Sequence, residues 1–481
     1  MRHGSRPSLC CVLLLAALAW IGLQILREHY NMYLDDPSTR PVLLGSAWQS
    51  PSRSPCEQPV LLQHSKPTEK FRENLRDDTS YITTFANFGY NNQFMNIVNM
   101  IYLGTLTNRI PILPPFVPNH GISKYTPVFP FGDVFDLEPL RRRLHSPLLE
   151  WRDVKVPRDV NTRDSEAAVA SLENIGCWTT NMEGSTDVGQ SHELLHSLGL
   201  DVSYSRVPPI TRYDQPDADH IHIVYSLLAE VIYPDDAPLY PNDLKIVQHG
   251  HWTRHELLPD RHLTCFDSVY FAVSGKTMWE WSQDWSAAWQ KIGRYLHYTP
   301  ALQNLARVYL NAIFGSGDII PPFIAVHIRH TDFSEQCTQE QLAADSCFPP
   351  LSAYGRHVDD IKRAWVAKNS LNIDHVLVMS GKCVSFMFSA GVMVELIALD
   401  DLSPALWEDV RNQGWYGVDH TRFETVNRMG EWYPILLDSV MQSMAMGLVG
   451  TTGSTFSMIS KRRIHDWNGG FGREVNIKTG Q

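Results

Sequence analysis

The chain has no excess of positive charge: 41 Lys and Arg stand against 52 Asp and Glu, a formal net charge of −11. Without a basic face there is little to hold a phosphate backbone, which excludes a general nucleic-acid binder. No G-x-G-x-x-G occurs, so a dinucleotide cofactor is not expected. No C-x-x-C occurs, which removes the commonest zinc and redox spacings. No Asn-x-Ser/Thr occurs either, so glycosylation acceptors say nothing about topology. Internal repeats and heptads are missing, which excludes solenoids and coiled coils. An anionic small ligand would need a local cluster of Arg, His and backbone N–H groups.

Long apolar runs are scarce, and the one that stands out is at the N-terminus. Residues 8–26 are almost wholly apolar. At about 1.5 Å per residue, a helix of that length just spans a hydrocarbon core of about 30 Å. Arg2 and Arg6 precede it, favouring a cytoplasmic tail over residues 1–7. Ala17-Leu18-Ala19 offers a cleavage site and hence the alternative of a cleaved signal peptide. The apolar run continues through Trp20, Ile21, Leu23, Ile25 and Leu26, which favours an uncleaved signal anchor. Both readings put the remainder in the secretory lumen. Six cysteines lie beyond the run: Cys56, Cys177, Cys265, Cys337, Cys347 and Cys383. They allow about fifteen full pairings. Cys337 and Cys347 bracket a short loop and are the expected local bridge.

Residues 27–78 are rich in Pro, Ser and Gln with little periodicity, the pattern of a stem. Tyr81-Ile-Thr-Thr-Phe85 is β-branched and aromatic, hence a strand. A turn over Asn87 to Asn92 leads to a helix over 93–107, then to a strand at Ile110-Pro-Ile-Leu113. Residues 115–270 give no clear pattern. Helices are expected over 279–289 and 301–314. Alternation resumes with a strand over 323–328, a helix over 352–366 and a strand over 375–379. A helix over 433–446, a strand over 448–450 and a helix over 454–462 follow. Two α/β blocks imply two Rossmann-like domains facing a cleft, over 79–318 and 319–481.

Three segments carry chemistry. In Ile324-Ala-Val-His327-Ile-Arg329-His-Thr-Asp332, an apolar strand delivers Arg329 to its carboxyl end, where ligands of α/β sheets bind. A guanidinium there can grip phosphate with two hydrogen bonds; it can equally pair with a neighbouring carboxylate. In Phe88-Gly89-Tyr-Asn91-Asn92-Gln93, Gly89 permits a tight turn. Asn91 and Asn92 can cap the helix or present amides to an anion at its N-terminus. In Gly450-Thr-Thr-Gly-Ser454-Thr455-Phe456-Ser457, a Gly- and hydroxyl-rich turn opens a helix and forms an anion cradle. No Lys follows a glycine there, so it is not a Walker A loop. Lys461, Arg462 and Arg463 fit the helix C-terminus better than a ligand. Asp217-Ala-Asp219 has the D-x-D form of metal-dependent glycosyltransferases, but its apolar run follows the acids instead of preceding them, so no metal is expected there. His249, His251 and His255 read as strand and loop histidines.

In this order the segments resemble the GDP-fucose-dependent protein O-fucosyltransferase superfamily, which includes the α1,6-fucosyltransferases. Asn92-Gln93, with Asn91 before them, matches the family's Gly-Asn-Gln turn. His327-Ile-Arg329 matches its His-x-Arg. Asp438 with Ser454-Thr455-Phe456 matches its late Asp and Ser-Ser-Phe. The likeness covers about 81–113 and most of 296–467. It implies a GT-B fold and a single-pass type II protein of the Golgi or endoplasmic reticulum membrane with a lumenal catalytic domain. The implied reaction is inverting, metal-independent fucosyl transfer from GDP-fucose to a protein or glycan hydroxyl. Arg329 would bind the β-phosphate as the catalytic residue. Asp438 would accept the guanine N1–H and N2–H, and His327 would contact the nucleotide. Ser454, Thr455 and Phe456 would hold diphosphate and base, and Gly89, Asn91, Asn92 and Asp332 complete the expected site. Some relatives carry a catalytic Glu beside the first-motif Gly; here that neighbour is Phe88, which cannot take a proton. Either the base comes from elsewhere, such as the stretch 115–270, or the leaving group does most of the work. A transferase-fold binding protein without turnover, and a GT-B enzyme using another nucleotide sugar, are the alternatives. An acid at 438 suits guanine's donors and not uracil's acceptors.

Overall fold

The computed structural model describes residues 61–119, 121–158, 166–182, 188–212, 222–234, 244–275, 279–317, 319–329, 349–379, 387–389, 392–394 and 404–476. Two larger sheets organise them. The first holds β1 (Tyr81–Thr84), β2 (Ile110–Leu113), β3 (Leu149–Glu150), β4 (Glu173–Thr179), β5 (Leu200–Arg206), β6 (Ile246–Gln248) and β7 (Leu263–Phe266), in the order β3-β2-β1-β7-β4-β5-β6. Its pairings are parallel except β5 with β6. The second holds β8 (Phe323–His327), β9 (His375–Met379), β10 (Tyr416–Gly417), β11 (Gly447–Thr451) and β12 (Phe471–Val475), in the order β10-β9-β8-β11-β12, all parallel. Covered on both faces, the central strands β8 and β9 are apolar runs, Phe323-Ile-Ala-Val326 and Val376-Leu-Val-Met379, whereas the edge strand β12 carries Arg473 and Glu474.

Five helices matter to the site: α1 (Tyr90–Leu106), α2 (Pro300–Phe314), α3 (Leu351–Asn369), α4 (Tyr433–Ser443) and α5 (Thr455–Asn468). Helix α2 shows why they form where they do. Pro300 starts it, Leu302, Ala306, Tyr309 and Leu310 share a buried face, and Gly315 ends it at φ 64°. One apolar cluster runs through α1, α2, α4 and α5 and joins the layers of both sheets.

Four expectations are corrected. The stem over 27–78 is shorter. A turn of helix over Phe71–Asn74 buries Phe71 and Leu75 against Trp151 and Val154, two apolar anchors hidden in a charged stretch. Helix α1 begins at Tyr90 rather than 93, so Asn91 and Asn92 lie within its first turn and the N-cap is Gly89. The helix expected over 279–289 is broken into a 3-10 turn (Glu280–Ser282) and a short helix (Ala287–Lys291). Its second part has its own cap, since Ser286 accepts the Trp289 N–H and the Glu280 carboxylate accepts the Ala287 N–H. Helix α5 continues to Asn468, so Lys461, Arg462 and Arg463 stand in its interior and not at its end.

Two of those basic residues pin the halves together. Arg462 donates to the carbonyls of Glu280, Trp281 and Gln283. Arg463 is fully buried, lies over the rings of Phe94 and Tyr298 at 4.8 and 4.7 Å, and donates to Ser439 Oγ at 3.0 Å and to Tyr298 Oη. Stacked guanidinium over aromatic rings keeps a buried cation in contact with electron-rich faces.

A disulfide joins Cys177 on β4 to Cys265 on β7, 88 residues apart. The Trp178–Phe266 register makes these cysteines lateral neighbours. The bridge expected between Cys337 and Cys347 lies outside the described residues, as do Asp217, Asp219 and the anchor expected over 8–26. Among the described residues no helix is long and apolar enough to cross a membrane.

Candidate functional site

From β8 the second sheet grows one way to β9 and β10 and the other way to β11 and β12. The chain therefore reverses direction between β8 and β11, and ligands of open α/β sheets bind in the crevice at such a switch point. Arg329 follows β8 and Thr451 ends β11. Their meeting is direct: the Arg329 N–H donates to Thr451 Oγ1 at 3.0 Å. The same hydroxyl donates to the His327 carbonyl at 3.2 Å and meets Tyr354 Oη of α3 at 3.0 Å. The bonds latch the two strand ends and hold the backbone of the half-buried Arg329 at the sheet edge.

The turn after β11 is built for close approach. A Cβ at Gly450 would stand 2.5 Å from that of Ser457, so only glycine lets the first turn of α5 fold over the strand end. Gly453 takes φ +82°. Ser454 caps α5, its side chain accepting the Ser457 N–H. Ser457 Oγ accepts the Thr451 N–H at 3.1 Å and lies 2.8 Å from His327 Nδ1. His327 is buried, stacked on Phe456 at 4.9 Å, and pushed down to about 3 by burial and then by the Arg329 charge. The imidazole is therefore neutral at ordinary pH. The Ser457 hydroxyl has one hydrogen and two lone pairs, so with the Thr451 N–H on one of them it serves either ring tautomer of His327.

Asp438 is buried on α4, and its Oδ1 accepts from His420 Nε2 at 2.9 Å. The first motif sits on the other sheet. Gln93 is consumed by the fold: its amide exchanges bonds with the Val117 backbone and donates to the Phe88 carbonyl. Asn91 is buried and neither of its amide atoms has a hydrogen-bond partner among the described residues; Asn92 Oδ1 is likewise unbonded. Unsatisfied amides in the first turn of a 17-residue helix, with the positive end of its dipole, suit a polar or anionic ligand. Phe88, at the position where a base was sought, packs on Tyr270 at 5.3 Å.

The structure thus brings His327, Arg329, Ser454, Thr455 and Phe456 to one sheet edge. Asp438 is tied through His420 to the end of β10 at that same edge. Gly89, Asn91 and Asn92 lie on the first sheet's side. Asp332 is outside the described residues. Sequence reading missed Thr451, Ser457, Tyr354 and His420. The first two lie in the hydroxyl-rich run already singled out, whereas Tyr354 and His420 carry no local signal. The histidines 249, 251 and 255 go to separate partners: Glu256, the His192 and Trp252 rings, and Thr253 with the Ile175 carbonyl.

A family model described as GDP-fucose protein O-fucosyltransferase matches residues 81–348. Among solved structures, the chain is similar to POFUT1 in complex with GDP, with 14% identity, 83% of this chain and 98% of that one covered, and a TM-score of 0.48. It is also similar to the fucosyltransferase NodZ from Bradyrhizobium, with 11% identity, 80% and 92% covered, and a TM-score of 0.35. No curated protein sequence matches.

Proposed function

We propose, from the premise that the chain belongs to the GDP-fucose protein O-fucosyltransferase family and is a fucosyltransferase, that it moves fucose from GDP-fucose to a protein or glycan hydroxyl, with inversion and without a metal. The observation that carries the donor reading is the switch point between β8 and β11, where a guanidinium follows one strand and a glycine- and hydroxyl-rich helix start follows the other. As the bond from fucose to the diphosphate breaks, negative charge accumulates on GDP. Arg329 and the N–H groups opening α5 face charge that is greatest in the transition state, so they favour it over the bound donor. His327, neutral, contacts the nucleotide without adding charge. Asp438 accepts the guanine N1–H and N2–H, and the unbonded Asn91 amide and Asn92 Oδ1 take the donor from the opposite side in a GT-B arrangement. Phe88 cannot act as a base, so the effect these residues themselves supply is leaving-group stabilisation, with any base coming from elsewhere in the chain.

The same reading makes residues 8–26 a type II anchor in the Golgi or endoplasmic reticulum membrane, with the catalytic region lumenal. A buried disulfide fits an oxidising lumen. The test is a nucleotide-sugar panel on the full-length protein in detergent, read by thermal shift and by transfer of labelled fucose. GDP and GDP-fucose should raise the melting temperature equally with EDTA or Mn²⁺, and UDP-sugars should not. Stabilisation that vanishes in EDTA and returns with Mn²⁺ overturns the metal-free reading; preference for UDP overturns the donor.

A further inference from the structure

His420 lies just past β10, at the carboxyl end of a strand two places from β8. Two strand spacings put it about 10 Å across the same sheet edge from the Arg329 strand. The Val418 N–H donates to the Val378 carbonyl, so the loop leaves the sheet in register, and the Thr425 N–H closes it on the His420 carbonyl. From there a chain of buried groups runs inward. His420 Nε2 is 2.9 Å from Asp438 Oδ1, His420 Nδ1 is 3.1 Å from Thr425 Oγ1, and Thr425 Oγ1 is 2.8 Å from Tyr309 Oη of α2. The pattern closes consistently when Tyr309 donates to Thr425, Thr425 to Nδ1, and Nε2–H to the carboxylate. Among the described residues no donor reaches Asp438 Oδ2.

We infer that His420 is a positioning residue which fixes the plane of the Asp438 carboxylate and thereby sets the preference for guanine. The inference rests on the reading of Asp438 as the base-contacting residue. A carboxylate that must meet two donors side by side is useful only in one rotation. A free Asp side chain turns readily about its last torsion, which has broad wells. One bond from a ring itself held by Thr425 removes that freedom. It occupies one of about four acceptor directions and leaves the others for N1–H and the 2-amino group. The hydroxyls of Thr425 and Tyr309 never meet the base in this scheme; they hold the ring.

The experiment compares GDP with IDP, which lacks only the 2-amino group, by calorimetry on the full-length protein. The GDP-to-IDP affinity ratio then reads the carboxylate contact alone. Four variants are needed: Asp438→Asn, His420→Phe, His420→Asn and His420→Gln. The Gln amide reaches the place of Nε2 and can donate to Asp438; the Asn amide reaches only that of Nδ1. Asp438→Asn should bring the ratio close to one. His420→Phe and His420→Asn should lower it about tenfold, or about 1.4 kcal/mol, while pyrophosphate affinity is unchanged. His420→Gln should hold the ratio within about threefold of the parent, less than 1 kcal/mol. Should the Phe variant fail to fold, the Asn and Gln pair decides. A ratio lost in Asp438→Asn but kept in His420→Asn or His420→Phe reduces His420 to a structural residue and leaves the guanine contact standing. A ratio kept in Asp438→Asn removes both readings.

Discussion

At the edge of the second sheet, Thr451, Ser457 and His327 bond one another, whereas in the first turn of α1 the Asn91 amide is buried with neither atom bonded among the described residues. Both places belong to the donor site proposed above, yet they are built in opposite ways. In the first, polar groups are satisfied by the fold, so their positions are set before a ligand arrives and cost nothing further on binding. In the second, the Asn91 amide meets no partner among the described residues; an amide left unmet costs about 1–3 kcal/mol, which a ligand can relieve. The lesson is that bonded residues orient and unbonded residues receive, so substitutions on the two sides should move stability in opposite directions.

The largest expected effect is on chemistry. Arg329→Lys keeps the charge and loses the fork; transfer should fall about a hundredfold, about 3 kcal/mol, with a smaller loss of donor affinity and little change in melting temperature. Turnover and stability measured on one preparation check it, and full turnover would make Arg329 an ordinary structural cation.

Ser457→Ala comes next and strikes the bonded side. It strands the Thr451 N–H and His327 Nδ1 together, so stability should drop about 2 kcal/mol in denaturant titration. The opposite sign belongs to Asn91→Leu. That change fills similar space without a polar atom, so stability should rise about 1 kcal/mol while GDP affinity falls roughly tenfold. If Asn91→Leu lowers both together, the contrast between the two sides fails.

The last effect is a pH slope, which vanishes near neutrality and builds only on acidification. The folded His327 is held at about 3, below the ordinary 6.5. The unfolded chain therefore binds the extra proton between those values, and stability must fall as pH drops from 6.5 toward 3, at up to about 1.4 kcal/mol per unit. Buried Asp267, raised to about 6 from 3.8, works the other way. Its folded form binds the proton first, so stability falls as pH rises from 3.8 to 6. Comparing the acid limbs of His327→Gln and Asp267→Asn separates the two: the first should flatten the loss on acidification, the second should steepen it.

Much of the second sheet was legible because parallel strands covered on both faces must be apolar runs, and 323–328 and 375–379 are. The stretch 115–270 was not, and β5 shows why. Asp201, Ser203 and Ser205 are buried within it; Asp201 accepts from the Trp252 and Thr253 N–H groups and Ser203 bonds the Leu257 backbone. Along Leu200-Asp-Val-Ser-Tyr-Ser205 the alternation is intact and assigns the polar positions to solvent; Asp201 and Ser203 are instead covered and bonded by a loop 52 and 54 residues away, which no local pattern announces.

By itself the sequence determined which groups could meet a diphosphate, since a strand ending in His-x-Arg and a glycine- and hydroxyl-rich helix start are local patterns with local geometry. It also determined that no base stands beside Gly89, because Phe88 does. Tertiary structure alone decided that Arg329 and Thr451 meet across 122 residues, that Arg463 is an interior clamp and not a helix-end charge, that Cys177 pairs with Cys265, and that Asp438 is held by His420. Each of those depends on which strands become neighbours. Strand order is settled by the packing of the whole chain and not by any window of it.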